Sequence, residues 1–324
     1  MSGPEGEEGR LDEFAQIERL YRPLTRGAPE ALRLLDDAAV IPQRAGFDFV
    51  VTKDAMVEGV HFPVGEPADL VARKLLRVNL SDLAAMGAEP YGYLLATVWP
   101  KDAGLAERTA FAEGLRIDGE AFGLSLLGGD TVSTDGPRTF SLTLLGWVPH
   151  GSALLRSGAR PGDRVLVSGP IGDGWLGLEA VFGRIADPTG ELTRAYRLPD
   201  PRLDLAKAAR AHASAGADIS DGLIADAGHI AKASGVGLEL HLDRLPLSEP
   251  AKAWLAGQPN RAAALVQLAS GGDDYELVLT AAPLAAAELG LSEVGVVSAG
   301  EGMRVLVDGA PVEVAAGGWR HPPA

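Results

Sequence analysis

The chain has 324 residues, of which 46% are hydrophobic and 23% charged, the composition of a soluble globular protein of about two 150-residue domains; disordered and membrane classes are excluded. Its 44 acidic residues against 29 basic ones give a formal net charge of -15, which repels nucleic-acid and anionic-membrane phosphates at long range but still admits phosphates that arrive with cations. There is no cysteine, which excludes disulfides, thiolate metal sites and a cysteine nucleophile, and fits a reducing cytoplasm.

The acidic start Met1–Glu8 lacks the apolar segment of a signal peptide. Leu11, Phe14, Ile17, Leu20, Tyr21 and Leu24 recur at helical spacing and predict a first amphipathic helix. Residues 38–41 and 47–52 read as strands. A longer helix is expected from Pro67 to Gly87, then a strand over 93–99, a helix over 105–122 and a strand over 139–148. The hydrophobic pattern pauses at Pro149–Ser152, which places a domain boundary between 1–150 and 151–324. The second half predicts a strand at 164–168, a Gly-rich turn with a helix from Trp175, and a helix near 203–213. A strand-to-helix junction follows over 217–233, then strands at 237–242, 275–280, 293–298 and 304–308. Strands and helices mix as in an α/β protein.

Acidic residues concentrate beside Gly, Ser or Thr at the ends of expected strands. The segments are Asp36-Asp37, Thr52-Lys53-Asp54, Asn79-Leu80-Ser81-Asp82, Gly128-Gly129-Asp130-Thr131, Asp218-Ile219-Ser220-Asp221-Gly222 and Gly271-Gly272-Asp273-Asp274. Carboxylates folded together repel unless cations lie between them, and a set rich in oxygen and poor in His suits Mg²⁺. Any one segment alone reads first as a helix cap or an Asx turn; it is the six together that point to cations. Asp82 is the most informative, because it sits inside an otherwise apolar helix with no basic neighbour.

Gly172-Asp173-Gly174-Trp175-Leu176-Gly177 matches the dinucleotide-binding pattern, but the region about 20 residues on is a turn rather than an acid-ended strand. The glycines therefore serve either a tight turn or an anion-binding helix N-terminus. Arg156 is either a phosphate clamp or a solvated arginine. His61 reads as an anion donor or a structural histidine, and Trp319 as a core plug or a stacking platform.

Taken in order, these segments, together with Glu58-Gly59-Val60-His61-Phe62, Arg156-Ser157-Gly158-Ala159 and Gly271–Leu277, resemble the thiamine-monophosphate kinases over nearly the whole chain. The resemblance implies the two-domain fold of the aminoimidazole ribonucleotide synthetase-like superfamily: an N-terminal α/β domain that dimerises through its sheet and binds ATP and Mg²⁺, and a C-terminal α/β sandwich that completes the site. It implies Mg²⁺ ligation by Asp37, Thr52, Asp54, Asp82, Asp130 and Asp218, with Asp221 at a further ion. ATP would meet Gly129, Asp130, Arg156 and Ser220, and thiamine phosphate would meet His61, Asp273 and Trp319. Asp54, Asp82 and Asp130 would carry the catalysis.

Leu35, Lys53, Ala112 and Asp273 depart from that pattern, standing in place of a usual Gly, Thr, Tyr and Glu. Relatives of the superfamily that depend on a reactive cysteine or selenocysteine are excluded by composition. The implied reaction, phosphoryl transfer from ATP to a phosphate oxygen, needs no general base, because the acceptor's second pKa near ~6 leaves it dianionic at neutral pH. The alternatives are a related kinase or synthetase with another substrate, and a nucleotide or thiamine-phosphate binding protein without turnover.

Overall fold

Why the helical spacing at the start of the chain does not give one helix is visible at Pro23: its ring closes the run in a tight turn. A computed structural model describes residues 13–314 and 317–318. There α1 (Glu13–Gln16) passes into a π turn at Ile17–Tyr21 and 3-10 turns at Arg22–Thr25 and Pro29–Leu34. Leu20, Tyr21 and Leu24 of the expected apolar face are buried, whereas Phe14 is exposed and Leu11 lies outside the described residues. The strand expected at 38–41 does not form. The chain enters it from Leu32, Arg33 and Leu34 in left-handed conformations, and bends at 36–38 break any ladder.

Contacts divide the chain into one unit of residues up to Leu80 with Pro90–His150, and another of Ser81–Glu89 with Gly151 onward. The boundary on the second helix is not visible in the hydrophobic pattern, because the helix is continuous across it.

The first unit contains β1 (Phe47–Val57), most of α2 (Ala68–Ala85), β2 (Glu89–Pro100), α3 (Leu105–Phe122), β3 (Ser125–Thr134) and β4 (Thr139–Pro149). Its sheet has the order β1-β4-β2-β3. Strands β1 and β4 are antiparallel, and β2 and β3 are parallel. The α2 helix begins directly after Pro67, as a first-turn proline favours, and α3 ends on Gly123 at φ +72. The two helices approach so closely that a Cβ on Gly114 would lie 2.2 Å from the Asp69 carbonyl oxygen. Arg73 and Arg77 of α2 both donate to the fully buried Asp118 of α3.

One sheet face packs on these helices through Trp99, Phe111 and Phe140, with ring centroids 4.2–5.4 Å apart. Each such pair adds about 0.5–1.5 kcal/mol to its area burial. Strand β3 was not expected from the sequence, since Gly128-Gly129 and the polar Asp130–Thr134 lack an apolar alternation; an outer strand tolerates that pattern.

The second unit adds β5 (Arg164–Val167), α4 (Asp173–Val181), α5 (Glu191–Arg197), α6 (Ala206–His212), β6 (Ala215–Asp218), α7 (Leu223–Ser234), β7 (Gly237–His241), α8 (Glu249–Ala256), α9 (Arg261–Ser270), β8 (Leu277–Ala281), α10 (Pro283–Leu289), β9 (Ser292–Ser298), β10 (Gly302–Val307) and β11 (Ala310–Pro311). Its sheet runs β11-β10-β7-β9-β5-β8-β6. Side chains alternate between two cores. Val165, Val167 and Val278 join Ile230 and Leu265 on one face, while Leu166, Leu277 and Leu279 join Ala209 and Ala286 on the other. A sheet covered on both faces is the α/β sandwich expected of this half. Helices α5, α8, α9 and α10 were not anticipated; runs such as Ala262-Ala263-Ala264 favour a helix but carry little periodicity.

Candidate active site

In the first unit, Asp36, Asp37, Gly128, Gly129, Asp130 and Thr131 line one cavity of about 210 Å³ along the outer edge of β3. Tyr21, Leu34 and Leu95 supply apolar wall. Gly129 is required where β3 passes β2, because a Cβ there would lie 1.9 Å from the Leu95 carbonyl oxygen. The Asp130 carboxylate accepts from the Thr131 N–H at 2.8 Å. Thr131 in turn meets Thr97 at 2.9 Å on the helix-covered face, so Asp130 stands on the opposite, open face, opposite Ala96 in the register.

Thr52 and Asp54 occupy the other outer strand. They pair with Leu144 and Leu142, which are fully buried, so they face the helices. Three strand spacings of about 4.8 Å, roughly 14 Å, separate β1 from β3. Within one copy of the chain Asp54 and Asp130 therefore do not share an ion, whose oxygen ligands lie within about 2.1 Å of it. Lys53 points to the open face, with Nζ 3.5 Å from Thr143 Oγ1. Ala112 is buried on α3, and Leu35 is exposed.

His61 sits in a turn that holds itself together. Its Nδ1 accepts the Val57 N–H at 3.0 Å, which leaves Nε2 to carry the proton of the neutral ring. Glu58 anchors that turn by accepting from Arg138 at 2.5 Å and from the Gly65 N–H at 2.9 Å. Burial raises the Glu58 carboxyl, but the Arg138 hydrogen bond and charge and the Gly65 N–H outweigh it and hold it below its ordinary value.

In the second unit, two acidic turns lie side by side. Asp218 ends β6, is buried, and pairs with Leu277. Beyond it the Asp273 N–H donates to the Ser220 carbonyl at 2.9 Å, and the Tyr275 N–H to the Ile219 carbonyl at 2.8 Å. Asp273 and Tyr275 adopt φ of +61 and +52, a left-handed conformation that is costly for such residues and clusters at functional sites. The Arg156 loop is pinned by Ser234, whose Oγ accepts the N–H groups of Gly158 and Ala159, each at 3.1 Å. Ser81, next to Asp82 on α2, places its hydroxyl 3.4 Å from the Tyr275 carbonyl.

The glycine-rich turn before α4 is closed to an external anion by the protein's own carboxylate. Asp274 accepts from the N–H groups of Gly172 and Gly174 at 2.9–3.0 Å. Burial pushes its carboxyl well above the ordinary value, against the pull of those N–H groups. Gly174 and Gly177 allow close packing, since Cβ atoms there would lie 2.2 Å from the Asp273 oxygen and 2.1 Å from the Leu192 oxygen. Of the two readings open from the sequence, the tight turn is the one that forms.

Asn79, one turn before Asp82, is fully buried; its Nδ2 donates to the Leu75 carbonyl at 2.8 Å, while Oδ1 has no hydrogen-bond partner among the described residues. Trp319 lies outside the described residues.

Asp226 and His229 of α7 were missed by the sequence reading. With Asp221 they bring ligand atoms within 4.8 Å of one another, an arrangement able to hold a cation. The signal available was Asp-x-x-His on the helix that opens directly after Asp221-Gly222. Burial above all, with the nearby Asp221 charge, pushes the Asp226 carboxyl up to about 7. The candidate donors are oxygen atoms, His229 apart, and their hardness and number fit Mg²⁺. Among the described residues no helix is long and apolar enough to cross a membrane.

Residues 35–148 match the family of AIR synthase related proteins, N-terminal domain, and residues 160–308 its C-terminal domain. A thiamine-monophosphate kinase from Caulobacter vibrioides is 55% identical over 318 residues, covering 95% of this chain and 90% of the relative. The crystal structure of the thiamine-monophosphate kinase from Stenotrophomonas maltophilia superposes with a TM-score of 0.78 at 38% identity, over 93% of this chain and 98% of the other. The structure of AaThiL complexed with AMPPCP and TMP gives a TM-score of 0.77 at 32% identity, over 87% and 90%. The turns that carry the acidic segments, Asp36 to Asp274, all fall inside the matched domains. By likeness along nearly its whole length, in sequence and in fold, the chain belongs to the thiamine-monophosphate kinase family.

Proposed function

We propose that this chain transfers the γ-phosphoryl group of ATP to thiamine monophosphate, yielding thiamine diphosphate and ADP. The observation that carries the reading is the pairing of the Asp218–Asp221 turn with the turn of Asp273, joined by the Asp273 N–H on the Ser220 carbonyl. That pairing brings Ser220, a candidate nucleotide contact, beside Asp273, a candidate thiamine-phosphate contact. Support comes from the relatives named as thiamine-monophosphate kinases and from the AaThiL complex with AMPPCP and TMP.

An oxygen of the acceptor phosphate attacks the γ-phosphorus in line. The bond from that phosphorus to the β–γ bridging oxygen breaks, and the electron pair leaves with ADP. The acceptor is already dianionic at neutral pH, so no side chain has to remove a proton. Positioning and charge neutralisation supply the catalysis. Asp37, Thr52, Asp54, Asp82, Asp130 and Asp218 would hold Mg²⁺, and Asp221 a further ion. When bound, Mg²⁺ screens the repulsion between the two phosphate groups. Asp54, Asp82 and Asp130 carry this role most directly. Gly129, Asp130, Arg156 and Ser220 bind ATP; His61, Asp273 and Trp319 orient thiamine phosphate, with the Asp273 carboxylate a counter-charge to the cationic thiazolium.

We also propose a homodimer formed through the first unit's sheet. Phe49, Val51, Leu94 and Val132 on its open face are 38–55% exposed, an apolar area that a second copy would cover. A cytoplasmic location agrees with the absence of cysteine.

The test is a two-substrate assay. Purified chain with ATP, Mg²⁺ and thiamine monophosphate should form thiamine diphosphate and ADP in equal amounts. Binding of ATP without thiamine diphosphate formation would overturn the reading in favour of a binding protein.

A further inference from the structure

Asp226 is 1% exposed on the first turn of α7, yet it spends its carboxylate on the turn before the helix rather than on a basic side chain. Its Oδ2 accepts three consecutive backbone N–H groups, from Ser220 at 3.0 Å, Asp221 at 3.1 Å and Gly222 at 3.2 Å. Those donors converge because Gly222 takes φ +121, a conformation that side chains other than glycine rarely adopt. Three N–H donors directed at one buried carboxyl oxygen form a closed local network that holds the turn. They restrict the direction in which Ser220 and Asp221 present their side chains.

The same turn is tied on its other side. Ile219 donates to the Glu276 carbonyl at 2.7 Å and accepts from Tyr275 at 2.8 Å, and Ser220 accepts from Asp273 at 2.9 Å. Glu276 in turn is gripped by Arg202 and Ser168. One side of the turn is thus held by the Asp273–Glu276 segment, and the other is held by Asp226.

We infer that Asp226 is a positioning residue for the phosphoryl-transfer reaction: it fixes the Ser220–Gly222 backbone so that Ser220 and Asp221 are preorganised for the nucleotide and its cation. The inference rests on the kinase reading given above. Asp226 itself acts through the turn.

The test uses the full chain with Asp226→Ala and Asp226→Asn, and Asp187→Ala as a structural comparison. Asp187 likewise accepts backbone N–H groups, from Thr193 at 2.8 Å, but caps α5 and serves no candidate site residue. Two readouts are taken: kcat and KM for both substrates, normalised to folded protein, and amide hydrogen exchange at residues 218–222.

Asp226→Ala should lower kcat by about 100-fold, the scale of an ångström of misplacement. It should also accelerate exchange at Ser220, Asp221 and Gly222. Asp226→Asn keeps an oxygen in place and should restore kcat to within about tenfold of the parent, as weaker neutral hydrogen bonds imply. Asp187→Ala should lower the melting temperature and leave kcat unchanged. If Asp226→Ala is folded and keeps the parent's kcat, or if Asp226→Asn is as inactive as Asp226→Ala, the inference is wrong; the second outcome would make the charge itself the working feature. Should Asp226→Ala fail to fold, Asp226→Asn decides alone: faster exchange at Ser220, Asp221 and Gly222 with kcat lowered but within about tenfold of the parent supports the inference, and any other result overturns it. A parent chain without kinase activity would refute the kinase reading, while the exchange measurement would still decide the clamp.

Discussion

Lys53 and Asp54 are neighbours in sequence and lie on opposite faces of β1. Asp54 pairs with the fully buried Leu142 and faces the helices, while Lys53 reaches Thr143 on the open face at 3.5 Å. Strand alternation makes this unavoidable, because successive side chains point to opposite sides.

A lysine on that face does not stand in for a cation bound by Asp54. Lys53→Thr is expected to leave the Mg²⁺ concentration giving half-maximal activity unchanged. A titration of initial rate against Mg²⁺ checks this, and a shifted midpoint would place the ammonium in the site after all.

Asp130→Asn and Asp82→Asn keep shape and remove charge. Each should lower kcat by at least about 100-fold, the scale on which a single electrostatic contact to a transition state is worth several kcal/mol, with circular dichroism unchanged. Parent-like activity in both would remove the cation-holding argument for these residues.

Gly129→Ala tests backbone approach rather than charge. Its Cβ would lie 1.9 Å from the Leu95 carbonyl oxygen, so β3 must shift away from β2. Overpacking of this kind costs about 1–3 kcal/mol or more. Chemical denaturation should show that loss, together with weakened ATP binding, and a stability equal to the parent's would contradict the β2–β3 packing.

Glu58 links stability to pH. Its folded carboxyl lies below the ordinary 4.5, so the unfolded chain binds more protons between the two values. The contribution is complete above 4.5 and is lost as pH falls through the folded value. Glu58→Gln should therefore destabilise the chain by about 1–3 kcal/mol at pH 7, as for a hydrogen bond to a charged group. The difference from the parent should shrink progressively in melts taken at pH values further and further below 4.5, and a difference that persists once the folded carboxyl is protonated would rule out the carboxylate as its source.

The long elements were legible because their periodicity follows directly from burial. The helix over 105–122 forms with the expected limits, and the strands of both sheets that alternate or run apolar were found within a few residues. The acidic segments were legible as chemistry, since Asp beside Gly, Ser or Thr is an oxygen-donor pattern whatever fold surrounds it.

Other features depended on partners distant in sequence. Nothing near Gly172 announces that its N–H is taken by Asp274, more than a hundred residues on. Nor does the pattern at 218–222 reveal that Asp226 holds the turn from the next helix. The first helix broke into turns, and β3 formed from a glycine-rich polar run, because tertiary packing overrode local preference. Composition and spacing by themselves determined which chemical groups are available and the class of ion they suit. Only the tertiary structure decided which face each side chain takes, which glycines permit contact and which carboxylates are already committed to backbone N–H groups, because those depend on atoms brought together by folding rather than by order along the chain.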